Sequence, residues 1–184
     1  RRIAGKWRGG CLNQRANATG LGYGIGAAKG ITGGRRKYKG SLMEGGIGVP
    51  FIARWPGKIP AGKVDKSNFL SAVDLLPTFC ELGGLTLPVD YRPDGVSQVS
   101  ALMGKEKGTR EKPLFWRMSH GYAIVHQQWK LVSNRKFTTF ELFDLVADPL
   151  ESKDLSKLNN EVTQNLIGMI KDWTKSLPEN PSGP

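Results

Sequence analysis

The residue with the clearest potential for chemistry is a lysine in a glycine-rich stretch. Lys39 lies in the run YKGSLMEGGIGVP, which covers residues 38–50. Gly40 follows the lysine directly, and two more glycines follow Glu44. Glycine lets a backbone come close to a ligand, and an ammonium group supplies a compact positive charge that suits a small anion. The pattern therefore predicts an anion-binding loop around Lys39; the alternative is a solvated lysine on a surface turn.

Histidine and cysteine provide few further candidates. The chain has two histidines, and His120 is the better candidate for contacting a ligand, because it lies next to Gly121 in a predicted loop and loops often carry binding residues. The alternative for His120 and His126 alike is a surface or core position. The two cysteines, Cys11 and Cys80, have no short spacing, so they indicate neither a zinc site nor a disulfide framework.

Two predicted structural units must position these residues, one at 38–112 and one at 113–184. In the first unit, residues 49–55 are mostly apolar and predict a buried strand that ends in a turn rich in proline and glycine. Asp74 is the predicted N-cap of a helix that ends at residues 83–84, which are both glycine. This unit therefore alternates strand, turn and helix.

The second unit is predicted to have an α+β fold. Short runs rich in aromatic and β-branched residues predict antiparallel strands. From Asn160 onward, apolar residues recur at helical spacing, and Pro178 is expected to end that helix. The economical arrangement is a small antiparallel sheet packed on one C-terminal helix. The strands are predicted at residues 114–118, 122–126, 129–133 and 137–145.

The positive charge of the chain is concentrated near its start. The net charge is +11, and ten of the 27 Lys and Arg residues precede Glu44, where no acidic residue occurs. Residues 1–37 are also rich in glycine and have little apolar surface to bury, so this segment is predicted to be loop or disordered. Such a segment can bind a polyanion, although the absence of a known nucleic-acid-binding module argues against nucleic acid. The apolar runs are too short to predict a membrane span.

Six motifs follow one another between residues 38 and 178. They are YKGSLMEGG at residues 38–46, FIARWPG at 51–57, VDLLPT at 73–78, DG at 94–95, WKLV at 129–132 and LFDLVADPLE at 142–151. In type, order and spacing this set resembles the C-terminal portion of the sulfatase family, of the arylsulfatase A and N-acetylgalactosamine-6-sulfatase type. The resemblance implies the edge of an α/β sulfatase domain, followed by a small antiparallel sheet packed on a C-terminal helix.

The resemblance also implies a reaction, the hydrolysis of sulfate esters. In sulfatases a lysine just before Glu-Gly-Gly contacts the sulfate group, and Lys39 is the matching residue, so it is predicted to be catalytic and substrate-binding. His120 is predicted as a further substrate contact. Calcium and a formylglycine nucleophile are implied for a full-length parent, and neither is expected to be held by this chain. The implied substrate is a sulfate ester, including sulfated glycans, and the implied location is periplasmic, secreted or lysosomal.

The chain departs from the family pattern at three points. Gly48 stands where the family has an arginine after Glu-Gly-Gly-Ile. No Asp or Glu precedes Glu44, so the carboxylates that calcium requires are missing at the matching positions. The nucleophile motif of the family is Cys or Ser, any residue, Pro, any residue, Arg. Cys11 and Arg15 have this separation, but Asn13 occupies the proline position.

These observations predict the C-terminal part of a sulfuric ester hydrolase that provides a sulfate-binding lysine and lacks the nucleophile and the metal ligands. Since the chain begins with Arg1 rather than methionine, it is expected to be a fragment, a processed form, or a chain whose true start lies elsewhere. It is expected to be inactive by itself. The alternative is a non-catalytic module that binds a sulfated glycan or nucleic acid through residues 1–37. Sequence upstream of Arg1 would discriminate between the two.

Overall fold

The structure is a computed structural model that describes residues 3–8, 32–105 and 110–177. No helix within these ranges is both long enough and apolar enough to cross a membrane. The strands are β1 (Ile3–Arg8), β2 (Gly48–Ala53), β3 (Val64–Ser71), β4 (Leu114–Met118), β5 (Gly121–His126), β6 (Trp129–Asn134) and β7 (Phe140–Asp144). The helices are α1 (Glu44–Ile47), α2 (Leu75–Leu82), α3 (Val99–Leu102) and α4 (Asn160–Lys175), and a 3₁₀ turn covers Ala72–Asp74.

Strands β4 to β7 form an antiparallel sheet in sequence order. Successive residues of a strand point to opposite faces, and in β5 this places Ala123 and Val125 in one apolar cluster and Tyr122 and Ile124 in another. Both faces of the sheet are therefore covered. This arrangement confirms the predicted antiparallel sheet.

Helix α4 covers one face of this sheet. Leu166 and Ile170 are buried against it, and the ring of Trp173 stacks on that of Phe115 with centroids 4.8 Å apart. The helix begins at Asn160, as predicted, while Pro178 lies outside the described residues. The apolar stripe of α4 therefore provides core packing.

The other face of the sheet packs against the first unit. Leu42, Ile47 and Phe69 join Trp116 and Ala123 in one buried cluster. The chain around α1 is consequently packed on the sheet, and the two predicted units share this core.

Four of the predicted strands differ in length from the structure. Strands β5 and β6 are each one residue longer than predicted, since β5 begins at Gly121 and β6 ends at Asn134. Strand β2 covers Gly48–Ala53 instead of residues 49–55, and β7 covers Phe140–Asp144 instead of 137–145. The turn before β7 takes up the difference, because the Asn134 side chain accepts hydrogen bonds from the backbone N–H of Thr138 and Thr139.

The prediction of loop or disorder for residues 1–37 is wrong for β1. Ile3–Arg8 lies between β2 and β3, antiparallel to the first and parallel to the second. The prediction weighed the side-chain composition of the whole segment, whereas a strand between two others is stabilised by backbone hydrogen bonds along both edges. Residues 9–31 lie outside the described residues, and residues 32–37 form turns and bends.

Asp74 precedes α2 as predicted, but its buried carboxylate joins distant parts of the chain. It accepts a hydrogen bond from the backbone N–H of Val96 at 2.9 Å and a bidentate pair from Arg110 at 2.8 and 2.7 Å. Both side chains are almost fully buried. Gly83 ends α2, as predicted.

Candidate functional site

Lys39 lies in a loop that comes directly before α1, and we call residues 36–43 the lysine loop. The Lys39 side chain is half-buried. Gly40 has a φ angle of 88°, a left-handed conformation that glycine adopts without steric cost. The backbone N–H of Ser41 donates to the carbonyl of Tyr38 at 3.1 Å, which closes the turn around the lysine.

Two glycines of α1 fix the lysine loop in place. The N–H of Gly45 donates to the carbonyl of Arg36 at 2.9 Å. A Cβ atom on Gly45 would collide with the carbonyl oxygen of Lys37, and one on Gly46 would collide with that of Ser41. Only glycine fits at both positions, so the Glu-Gly-Gly sequence lets the loop backbone lie directly against the helix.

Glu44 anchors this assembly to the four-stranded sheet through what we call the buried triad: Glu44, Lys130 and Glu151. Lys130 Nζ lies 3.1 Å from Glu44 Oε1 and 2.5 Å from Glu151 Oε1. The backbone N–H of Glu44 donates to Glu151 Oε2 at 2.7 Å. All three residues are at most 1% exposed. The first residue of α1 is thus bound both to β6 and to the segment after β7.

The buried triad contains two carboxyl groups and one ammonium. Burial raises the pKa of Glu151; the charge of Lys130 and its hydrogen bond oppose this effect, and the nearby Glu44 carboxylate adds to it. Because the triad is closed to solvent, it cannot touch a substrate. Its role is to hold α1, and with it the lysine loop, in position.

Two aspartates shape the segment that carries Glu151. Asp148 accepts the N–H of Lys153 at 2.9 Å, and Asp154 accepts the N–H of Leu142 at 3.0 Å. Burial would raise the pKa of each aspartate, but the hydrogen bonds outweigh it and hold both pKa values below the ordinary range. Glu151 itself has a φ angle of 58°, an unusual value for glutamate.

Gly48, where the sequence departs from the family pattern, lies beside an arginine from another position. A Cβ atom on Gly48 would lie 2.9 Å from Arg35 Nη1 and 3.1 Å from Glu44 Oε2. The Arg35 guanidinium therefore occupies the space that a side chain at this position would enter. A residue larger than glycine would have to displace it and would also meet the backbone carbonyl oxygen of Glu44, 2.7 Å from the added Cβ atom.

His120 lies at an open cavity of about 450 Å³ between the lysine loop and one end of the four-stranded sheet. Its side chain is exposed in the turn between β4 and β5. Lys39 is not among the lining residues, so the structure does not place the two predicted site residues in one cavity. The lining residues are Arg36, Lys37, Ser41, Leu42, Met43, His120, Val132, Ser133, Asn134, Thr139, Phe140 and Glu141.

Within residues 32–105 and 110–177, no three His, Cys, Asp or Glu side chains are grouped so that they could hold a metal ion. Cys80 is a half-buried free thiol in α2. Cys11, Asn13 and Arg15, the residues compared with the nucleophile motif, lie outside the described residues.

Sequence reasoning missed the buried triad, although Lys130 and Glu151 lie within the WKLV and LFDLVADPLE motifs. A charged residue inside a strand is normally exposed, and the partners of Lys130 lie 86 and 21 residues away, where no periodicity links them. A local signal is that Lys130 stands between Trp129 and Leu131 in an otherwise apolar run.

The chain was compared with protein-family models and with curated proteins, and both comparisons match enzymes that act on sulfate groups. Residues 36–178 match the family model described as N-sulphoglucosamine sulphohydrolase, C-terminal. The N-acetylgalactosamine-6-O-sulfatase of Bacteroides thetaiotaomicron is 29% identical over 150 residues, which cover 74% of this chain and 29% of that protein. Human steryl-sulfatase is 40% identical, with 78% of this chain and 31% of the relative covered. The chain thus spans less than a third of the length of these curated relatives.

Solved structures show the same fold. Ps i-CgsB is 31% identical with a TM-score of 0.67 and covers 76% of this chain and 31% of its own, and it has also been solved in complex with a neocarrahexaose. A protein described in the metabolism of glycosaminoglycans by Bacteroides thetaiotaomicron is 28% identical with a TM-score of 0.65, covering 78% of this chain and 32% of its own.

Proposed function

Because the chain belongs to the sulfatase family, whose C-terminal domain it carries, we propose that it is the C-terminal part of a sulfuric ester hydrolase. In this proposal Lys39 binds the sulfate group, and the four-stranded sheet shapes the approach of the rest of the substrate. The activity is assigned to a longer parent enzyme, because the chain spans only 29% of a relative such as the Bacteroides sulfatase.

The observation that carries the proposal is the support of the lysine loop by α1, which the buried triad in turn holds in place. Gly45 and Gly46 lie against its backbone, and the buried triad holds the helix that contains these glycines. A lysine whose backbone is already fixed loses less conformational freedom when its ammonium group binds an anion. This arrangement therefore favours a binding role for Lys39 over that of a freely solvated lysine.

Lys39 would act by electrostatic stabilisation. As the S–O bond to the alcohol breaks, negative charge builds on the departing oxygen, and an ammonium group bound beside the sulfate lowers the energy of that state. Formylglycine and calcium are proposed for the parent enzyme alone, as the source of the nucleophile and of further charge stabilisation. The residues of this chain do not fit either group, since it contains no Cys or Ser in the required motif and the described residues form no metal-binding cluster.

The proposed substrates are sulfated glycans. The name of the Bacteroides relative specifies a sulfated amino sugar, and Ps i-CgsB binds a neocarrahexaose. The cavity beside the lysine loop provides space for a sugar adjacent to the sulfate group.

The proposal can be tested with the chain as it exists, by NMR titration of the ¹⁵N-labelled protein with N-acetylgalactosamine 6-sulfate. Shift changes are expected in the lysine loop and α1. Lys39→Ala should weaken binding about tenfold or more, because a hydrogen bond to a charged group contributes about 1.5–3 kcal/mol. Lys39→Arg should also bind poorly, since a planar fork does not replace a compact ammonium in a tight loop.

Lys58→Ala, an exposed lysine in another turn, is the matched control and should bind like the native chain. Equal affinity of the native chain and Lys39→Ala would end the assignment of Lys39 and leave it as a solvated loop residue.

A further inference from the structure

The lysine loop is flanked by two residues of opposite charge. Arg35 directly precedes the loop, and Glu44 directly follows it. A turn fixes the backbone of Arg35, since its N–H donates to the carbonyl of Thr32 at 3.3 Å and its carbonyl accepts the Thr32 hydroxyl at 2.8 Å. The backbone N–H of Glu44 is held by Glu151. The loop therefore runs between an arginine and a glutamate whose backbones both have a defined place.

The side chains of these two residues meet beside Gly48. The position that a Cβ atom of Gly48 would take lies 2.9 Å from Arg35 Nη1 and 3.1 Å from Glu44 Oε2. Two atoms so close to one point are near neighbours, so the Arg35 guanidinium lies near this oxygen of the Glu44 carboxylate. The other oxygen, Oε1, faces Lys130 Nζ at 3.1 Å. The two oxygens of Glu44 thus face two different cations.

A second cation suits the charges of the buried triad. Glu44 is 1% exposed, and a carboxylate taken out of water is stable in its ionised form only when opposite charge or hydrogen bonds replace its lost hydration. Within the triad, a single ammonium faces two carboxyl groups. Arg35 is half-buried, so solvent screens its charge only in part and the charge acts on Glu44 over a short distance.

This arrangement depends on the glycine at position 48, because a side chain there would enter the space of the guanidinium. The family pattern has an arginine at this position, which here belongs to β2. In this chain the arginine approaches instead from residue 35, in the segment that leads into the lysine loop. Its attraction to Glu44 therefore draws the two ends of the loop together.

We infer that Arg35 is a positioning residue for Lys39. Its guanidinium stabilises the ionised carboxylate of Glu44 across the gap left by Gly48, and it thereby closes the lysine loop. The backbone hydrogen bond from Gly45 to the Arg36 carbonyl, 2.9 Å long, closes the loop at the same place. The effect of Arg35 on ligand binding rests on the proposed function, whereas its attraction to Glu44 does not.

A double-mutant cycle on the full chain tests the attraction. Arg35→Met removes the positive charge and keeps a long side chain, and Glu44→Gln removes the negative charge. Arg35→Met should raise the unfolding equilibrium constant about tenfold in the native chain, but about twofold or less in the Glu44→Gln chain, since residues that interact show coupling of this size. Arg35→Lys keeps a positive charge and should retain most of the stability. Arg54→Met, at an exposed position after β2, is the matched control and should unfold like the native chain.

The second readout separates positioning from simple stabilisation. A residue that only stabilises the fold leaves the affinity of the folded chain unchanged. Arg35→Met should instead weaken the binding of N-acetylgalactosamine 6-sulfate about threefold or more in an NMR titration, because Lys39 must then be ordered when the ligand binds. Arg35→Lys should restore the native affinity, and Arg54→Met should leave it unchanged.

The inference is overturned if Arg35→Met has the same effect with and without the Glu44 carboxylate, or if it lowers stability without weakening binding. If Glu44→Gln does not fold, Arg35→Met and Arg35→Lys are compared directly, and equal stability of these two variants overturns the inference. Native affinity of Lys39→Ala is a different result: it ends the proposed function, and with it the positioning role, whatever coupling the cycle gives.

Discussion

At the scale of single residues, the position of Lys39 depends on two residues that lack a side chain. The lysine loop can lie against α1 because Gly45 and Gly46 have no side chains, and each carbonyl that faces them occupies the place of a Cβ atom. A charge that must meet a small anion is thus placed by backbone contacts, which are far less adaptable than side-chain contacts.

Gly45→Ala is expected to destabilise the chain by about 1–3 kcal/mol, because the added methyl group forces the Lys37 carbonyl away. Binding of N-acetylgalactosamine 6-sulfate should weaken with it. Gly168→Ala is the matched control: Gly168 is exposed in α4 with nothing near its Cβ position, so alanine should stabilise the helix by about 0.5–1 kcal/mol. Urea unfolding measures both changes, and a neutral effect at position 45 would contradict the close contact.

At the scale of elements, the buried triad connects three of them. Glu44 opens α1, Lys130 lies in β6, and Glu151 lies in the segment between β7 and α4. An ion pair of this kind contributes little net stability relative to apolar packing, because its charges must be taken out of water. It does impose one arrangement of the elements, since any other leaves a buried charge without a partner.

Lys130→Met should therefore cost about 3–5 kcal/mol in the free energy of unfolding, because it leaves two buried carboxyl groups without their cation. Lys175→Met is the comparison, since Lys175 pairs with Asp172 at 2.7 Å on the exposed surface of α4, and its loss should cost about 1 kcal/mol or less. Chemical denaturation at neutral pH gives both values. Equal losses would show that burial of the triad has no energetic consequence.

Glu151 gives stability a dependence on pH. Since burial raises its pKa, the folded chain holds this proton more tightly than the unfolded chain, so the resulting stabilisation is present below the ordinary pKa of 4.5 and is lost as pH rises through the raised value. Glu151→Gln removes the titrating group. The stability advantage of the native chain over this variant should therefore shrink as pH increases above 4.5, in urea unfolding at a series of pH values. An advantage that grows over this range would contradict the direction of the shift.

At the scale of the whole molecule, one sheet provides the common support. Its face toward α4 carries Ile124 and Leu131, and its other face carries Trp116 and Ala123 together with Leu42, which belongs to the lysine loop. The loop and the C-terminal helix are thus attached to opposite sides of the same four strands. A change in the sheet is expected to affect both.

The chain by itself should not hydrolyse an aryl sulfate such as 4-nitrophenyl sulfate, even with calcium added. The sequence has no carboxylate before Glu44 and no Cys or Ser in the nucleophile motif, and a lone lysine cannot activate a sulfate ester. Release of 4-nitrophenol is followed by absorbance. Turnover that survives Cys11→Ala would refute the reading as part of a longer enzyme, and turnover that this change abolishes would make Cys11 the nucleophile.

The sequence predicted the elements whose signals are local. Strand β4 follows from a run with two aromatic residues, and helix α4 follows from the helical spacing of its apolar residues. A glycine marks the end of α2. The motif around Lys39 also marked the candidate site. The buried triad and strand β1 were missed, because Lys130 and Ile3–Arg8 are defined by partners distant in sequence, and composition and periodicity do not record such partners.

The triad also sets an order of events as the chain is made. Its hydrogen bonds join residues that are 86 and 107 positions apart in the sequence. The backbone and side chain of Glu44 can therefore form these hydrogen bonds only after the chain has been synthesised as far as Glu151. Contacts of such long separation form late, since the loop they close must first lose its freedom. The lysine loop is therefore expected to reach its folded position only after the four-stranded sheet has left the ribosome. An incomplete chain is not expected to form the proposed anion site.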